Sequence, residues 1–245
     1  VPSLEPISII SAAALLNALE LTARDIKDVR IVVSGAGAAA MSCLELYMKL
    51  GLKKENIAIF DSKGHINSGR KGLEGRKLDC ATKKEFKSLK DALNGADMFL
   101  GLSKGGLVNA DMIKGMAANP IVFALANPEP EIPYEEAIAA REDIIMATGR
   151  SDHPNQVNNV LGFPFIFRGA LDVRATCIND EMKLAAVRAI ASLAKATVPD
   201  EVSEAYDEQS LVFGRNLIIP KPLDPRLISA IAPAVAKAAI ESGVA

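Results

Sequence analysis

Short apolar runs rich in Val, Ile and Phe alternate along this chain with longer segments whose apolar residues recur at helical spacing. That order predicts a parallel sheet covered by helices, a doubly wound α/β fold. Residues 9–21 (IISAAALLNALEL) contain neither Gly nor Pro and predict a helix leading into the sheet. Residues 29–33 predict the first strand, and residues 38–50 a helix closed by Gly51. Residues 57–61, 98–102, 120–126 and 144–148 complete five predicted strands. Between them, residues 83–94, 110–116 and 134–141 predict helices, the last opened by Pro133. Residues 160–173, 180–195 and 224–242 read as helices around the proline-rich turn IIPKPLDP, a helical C-terminal extension of the Rossmann-like core.

Composition narrows the class more than the fold. With 245 residues, 49% of them hydrophobic, the chain can bury the core of one large α/β domain or of a domain with an appendage. Basic and acidic residues nearly balance at a formal charge of −2, so nucleic acid is not an expected partner. Cys43, Cys80 and Cys177 are odd in number and form no paired motif, which predicts free thiols and a reducing, cytoplasmic location. No apolar run reaches the roughly 20 residues of a membrane span, and no signal peptide opens the chain, so no membrane association is expected.

The chemistry is concentrated after the first strand. Ser34-Gly35-Ala36-Gly37-Ala38-Ala39-Ala40 spells G-x-G-x-x-A between a predicted strand and a predicted helix, the context of a dinucleotide fingerprint. Gly35 permits the tight turn, Gly37 lets the main chain approach a pyrophosphate, and Ala40 lets the helix lie close to the sheet. The helix-start N–H groups of Ala38 and Ala39 then face the phosphates, where the dipole adds about 0.3–1 kcal/mol for a negative group. Asp61 ends the next strand, where a carboxylate accepts ribose hydroxyls and favours NAD. Ser62, Lys63, Arg70 and Lys71 follow and accommodate a 2′-phosphate, so NAD against NADP stays open. The bland alternative is a tight turn that binds nothing.

From Gly149 the chain reads GRSDHPNQVNNVLGFPFIFRGALDVRA, and with FALANPEPEI, AIFDSKG and IIPKPLDPRL it resembles the malic enzymes, most of all the bacterial long form with a phosphotransacetylase-like tail. The similarity extends from Ile9 to the C-terminus. It implies the NAD(P)-binding domain of an oxidoreductase that converts malate to pyruvate and CO2. Asn127, just before Pro128, carries a donor and an acceptor and so suits a carboxamide or a carboxylate; Asn158 and Asn159 supply two more. The resemblance implies that Asn127 and Asn159, with Asn158, hold malate or the nicotinamide ribose, and that Ser103 lies near the cofactor. Capping of the helix near residue 160 is the alternative for these amides.

The resemblance also implies parts that this sequence does not carry. In the family a lysine base and a tyrosine acid come from an N-terminal domain, and Mg2+ or Mn2+ is held by acidic residues that include a paired-aspartate stretch. Here Val1-Pro2-Ser3-Leu4-Glu5-Pro6 stands at that point without the pair, and a single Glu5 does not satisfy such a cation. No catalytic residue and no metal ligand is therefore expected in the chain, and by itself it is expected not to turn over. The expected organisation is residues 1–28 as leading helix, 29–150 as Rossmann core and 151–245 as C-terminal helices, in a homo-oligomer, with an N-terminal malic domain before and a phosphotransacetylase-like domain after. His153 stands where relatives carry an aromatic residue and is not taken as catalytic; His65 is expected to be exposed. Lys83, Lys84, Lys87 and Lys90 read as a solvated face, and Phe163, Phe165 and Phe167 as packing residues.

Two rival functions follow from other features. Gly101-Leu102-Ser103-Lys104-Gly105 spells the G-x-S-x-G of a hydrolase nucleophile elbow, with His153 the only histidine downstream. A non-catalytic nucleotide sensor would keep the glycine turn and lose the chemistry.

Overall fold

The computed structural model describes residues 5–206 and 211–245; the Val1–Leu4 part of the N-terminal reading lies outside the described residues. The chain divides into two compact units, one of residues 18–154 and one of residues 1–17 with 155–245.

In the first unit six strands form one sheet: β1 (Ile31–Ser34), β2 (Ile57–Asp61), β3 (Gly64–His65), β4 (Met98–Gly101), β5 (Ile121–Ala124) and β6 (Ile145–Thr148). Their order is β3-β2-β1-β4-β5-β6, and every pairing is parallel except β2 with β3. The runs IVVS, MFLG, IVFA and IMAT are buried at every position, which is why they read as unbroken apolar stretches instead of alternating ones. Order reverses between β1 and β4, the switch point at which open α/β sheets bind ligands beyond the strands' carboxyl ends.

Five helices belong to this unit: α2 (Ala38–Lys49), α3 (Arg76–Cys80), α4 (Leu89–Leu93), α5 (Ala110–Lys114) and α6 (Tyr134–Ala140). On one face of the sheet Val32, Phe60, Phe99, Val122 and Met146 pack with Leu93, Ile113 and Ala137 of α4, α5 and α6. The helix α1 (Pro6–Leu21) divides its residues between the two units.

The second unit holds α7 (Phe163–Asp172), α8 (Asp180–Lys195), α9 (Asp200–Ala205) and α10 (Leu227–Glu241). Asn17 is buried there and donates both amide hydrogens, to Ala191 O at 2.9 Å and Ile218 O at 2.8 Å. Asn155 anchors the start of the proline-rich turn, donating to Arg215 O and accepting from Ile218 N–H.

Several expectations are corrected. The lysine-rich helix of residues 83–94 is only α4, because the Ser88 side chain caps it from Asp91 N–H and Phe86 N–H turns instead toward His65 Nδ1. The sheet has a sixth strand, the two-residue β3. His65 is buried, its ring 5.1 Å from that of Phe60 and 5.2 Å from that of Phe86. On α7 the buried residues are Ile166, Gly169 and Ala170, whereas Phe163 and Phe167 are exposed and pack on each other at 4.8 Å as i,i+4 neighbours in the first turns of the helix.

Candidate functional site

The parallel register sets Ser34, Gly101, Ala124 and Thr148 in one row across β1, β4, β5 and β6. The loops that leave this row bring most of the predicted site residues to one edge. Gly35 turns the chain at φ +110°, and a Cβ there would stand 2.5 Å from Leu102 O; only glycine allows both that dihedral and that approach. Gly37 is the N-cap of α2 with no side-chain cap, and a Cβ on it would meet nothing within 4 Å. The first-turn amides of Ala38 and Ala39 thus start a 12-residue helix with open space before them. Ala40 is buried, as its close-packing role requires.

At the end of β2, Asp61 is not a free carboxylate. Arg70 grips it with both terminal nitrogens at 2.9 Å, Lys77 from α3 stands at 3.3 Å, and the Lys63 N–H donates at 2.9 Å. Burial works to raise its pKa, but the Arg70, Lys63 and Lys77 contacts outweigh it and hold the carboxyl at about 2. One carboxylate against two cations leaves this corner positive. Arg70 was visible in the sequence as a charge near Asp61; Lys77, sixteen residues along, carried no local signal. Ser62 and Lys63 are exposed in the turn to β3, and Lys71 is exposed beyond Arg70.

On the other side of the switch point, Ser103 follows β4 and its Oγ lies 2.8 Å from Ser34 Oγ. Its N–H donates to Glu131 Oε1 at 3.0 Å, and Ala126 N–H donates to Glu131 Oε2 at 3.2 Å. Glu131 is fully buried; desolvation raises its pKa, against the lowering effect of the N–H groups of Ser103 and Ala126. The sequence reading missed this residue, since a glutamate among prolines signals a turn before it signals a buried acid. Asn127 is exposed, three residues beyond β5, and its amide lies beside Gly149, where a Cβ would be 3.4 Å from Oδ1. Asn158 and Asn159 belong to the other unit, and the Asn158 side chain caps a 3₁₀ turn by accepting from Val160 N–H.

Among the described residues the hydrolase geometry is absent. Ser103 is bonded to Ser34, His153 Nδ1 lies 3.1 Å from Thr148 Oγ1, and the His153 ring stacks on Tyr134. The chain also does not pass directly from Ser103 into a helix, because α5 begins only at Ala110. Among the described residues no group of three His, Cys, Asp or Glu side chains is placed to hold a metal ion, and no helix is long and apolar enough to cross a membrane.

Comparison with known proteins agrees with this arrangement. The family model described as malic enzyme, NAD binding domain, matches residues 5–206. An NADP-dependent malic enzyme of Rhizobium meliloti is 57% identical over 239 residues, covering 97% of this chain and 31% of the relative. An NAD-dependent malic enzyme of the same organism is 54% identical over 239 residues, with the same coverage. The crystal structure of Entamoeba histolytica malic enzyme superposes with a TM-score of 0.86 at 39% identity, over 98% of this chain and 48% of that one. The chain therefore spans about a third of the length of these two relatives, and by fold and sequence it belongs to the malic enzyme NAD-binding domain family.

Proposed function

We propose that this chain holds NADP for a protein that oxidises malate and decarboxylates it to pyruvate and CO2. The observation that carries the reading is the glycine turn at the switch point with Arg70 forked onto Asp61 at its ribose end. The residues fit the cofactor: the amides at Gly37, Ala38 and Ala39 face open space, as a diphosphate needs, and Arg70 with Lys77 supplies the charge that a 2′-phosphate needs. Held there, the dinucleotide would supply the hydride acceptor for oxidation at C2 of malate. Ser103 and Asn127 orient the nicotinamide half of the dinucleotide.

The base, the acid and the ligands of a divalent Mg2+ or Mn2+ come, in this reading, from an N-terminal malic domain of the whole protein, which assembles as a homo-oligomer and extends into a phosphotransacetylase-like domain. The proposed organisation keeps residues 29–150 as cofactor core.

The NADP choice rests on Asp61 being occupied. A free carboxylate would accept ribose hydroxyls and repel a phosphate; a carboxylate tied by two cations does neither. Fluorescence titration with NADPH and NADH decides it. NADPH binds at least tenfold more tightly in this account, and Arg70→Ala removes most of that margin, a loss of about 10- to 100-fold for a charged bidentate contact. Equal affinities, or tighter NADH, would overturn the preference, and binding of neither would overturn the reading.

A further inference from the structure

Glu131 ends the segment Asn127-Pro128-Glu129-Pro130-Glu131 and has no exposed surface. Burying a carboxylate costs several kcal/mol unless its oxygens are answered. Here they are answered by two main-chain groups from different loops: the Ser103 N–H after β4 and the Ala126 N–H after β5, the residue before Asn127. The acid lies across the end of β4, where a Cβ on Gly101 would overlap its carboxylate, so the last residue of that strand has to be glycine. Its own backbone is fixed as well, since Val108 N–H donates to Glu131 O at 2.9 Å and Gly106 N–H to Pro130 O at 3.2 Å. From Ser103 the connection continues through the 2.8 Å contact of its Oγ with Ser34 Oγ, immediately before Gly35. One buried side chain thus joins the strand ends on the β4–β5 side of the switch point, the side that takes the nicotinamide half in a doubly wound fold.

We propose that Glu131 is a positioning residue for the nicotinamide half of the dinucleotide, setting the loops of Ser103 and Asn127 at a fixed separation. This rests on the function proposed above. A carboxylate suits the task because it presents two acceptors to two N–H donors; the isosteric amide of glutamine presents one acceptor and one donor, so one loop is pushed away. The 2′ end of the adenosine half is held by Arg70, whose bonds run to Asp61, Gly64 and His65 at the β2 side of the sheet and not to Glu131 or Ser103.

That separation supplies a readout which a merely structural acid would not move. Calorimetric titration of the chain and of Glu131→Gln is made with NADPH and with 2′,5′-ADP, which carries the adenosine half alone, and thermal unfolding is followed in parallel. The expected result is about tenfold weaker NADPH binding in Glu131→Gln, with 2′,5′-ADP affinity held within about twofold. Equal weakening of both ligands, or a lower unfolding temperature with both affinities kept, would overturn the proposal by showing a structural staple only. Should Glu131→Gln fail to fold, Glu131→Asp, which keeps both acceptors on a shorter arm, is read by the same pair of ligands. If the unmodified chain binds neither ligand, the functional reading fails and this inference with it; if it binds both and the variants match it, only this inference fails.

Discussion

At Gly35 and Gly37 the same small substitution has opposite consequences. Gly35→Ala places a methyl at φ +110° against Leu102 O, and strain with overlap should cost about 1–3 kcal/mol, read as a lower urea midpoint. Gly37→Ala sits at φ −84° with nothing near its Cβ, so stability should change by no more than about 1 kcal/mol. NADPH affinity should nevertheless fall, because the methyl stands before the helix amides. Asp61 adds a pH dependence: its folded pKa of about 2 lies below the ordinary 3.8, so its ion pair stabilises above about pH 4 and is lost as pH falls toward 2. An acid titration of Asp61→Asn should be flatter in that window than that of the unmodified chain. The glycines and Asp61 were legible in the sequence because their signal is local, a strand, a turn and a helix in succession. The Lys77 partner of Asp61 on α3 and the burial of Glu131 were not, because those contacts join residues 16 and 28 positions apart.

Among elements, the core strands were the most legible part. Each predicted strand overlaps the observed one, because burial on both faces writes a continuous apolar run. The two-residue β3 has no such run; it exists through its antiparallel pairing with β2. Periodicity misled at residues 83–94, where Phe86, Leu89 and Leu93 fit a helix but the Ser88 cap starts it late. At the crossing of α7 and α10, a Cβ on Gly169 would overlap Ala232 O and lie 2.9 Å from Val235 Cβ. Gly169→Ala should therefore force the helices apart and lower stability by about 1–3 kcal/mol, measurable in chemical unfolding. Periodicity marks which face of α7 is apolar without revealing how closely a second helix approaches it.

For the molecule as a whole, identity does not decide the cofactor, since relatives named for NADP and for NAD are 57% and 54% identical. The decision falls to one charged corner and one glycine turn, both on the sheet unit. The most direct measurement is a crystal structure of the chain grown in saturating NADP+. The account predicts diphosphate oxygens about 3 Å from the amides of Gly37–Ala39 and the 2′-phosphate against Arg70. A turn left empty, or a dinucleotide seated away from it, would contradict the account.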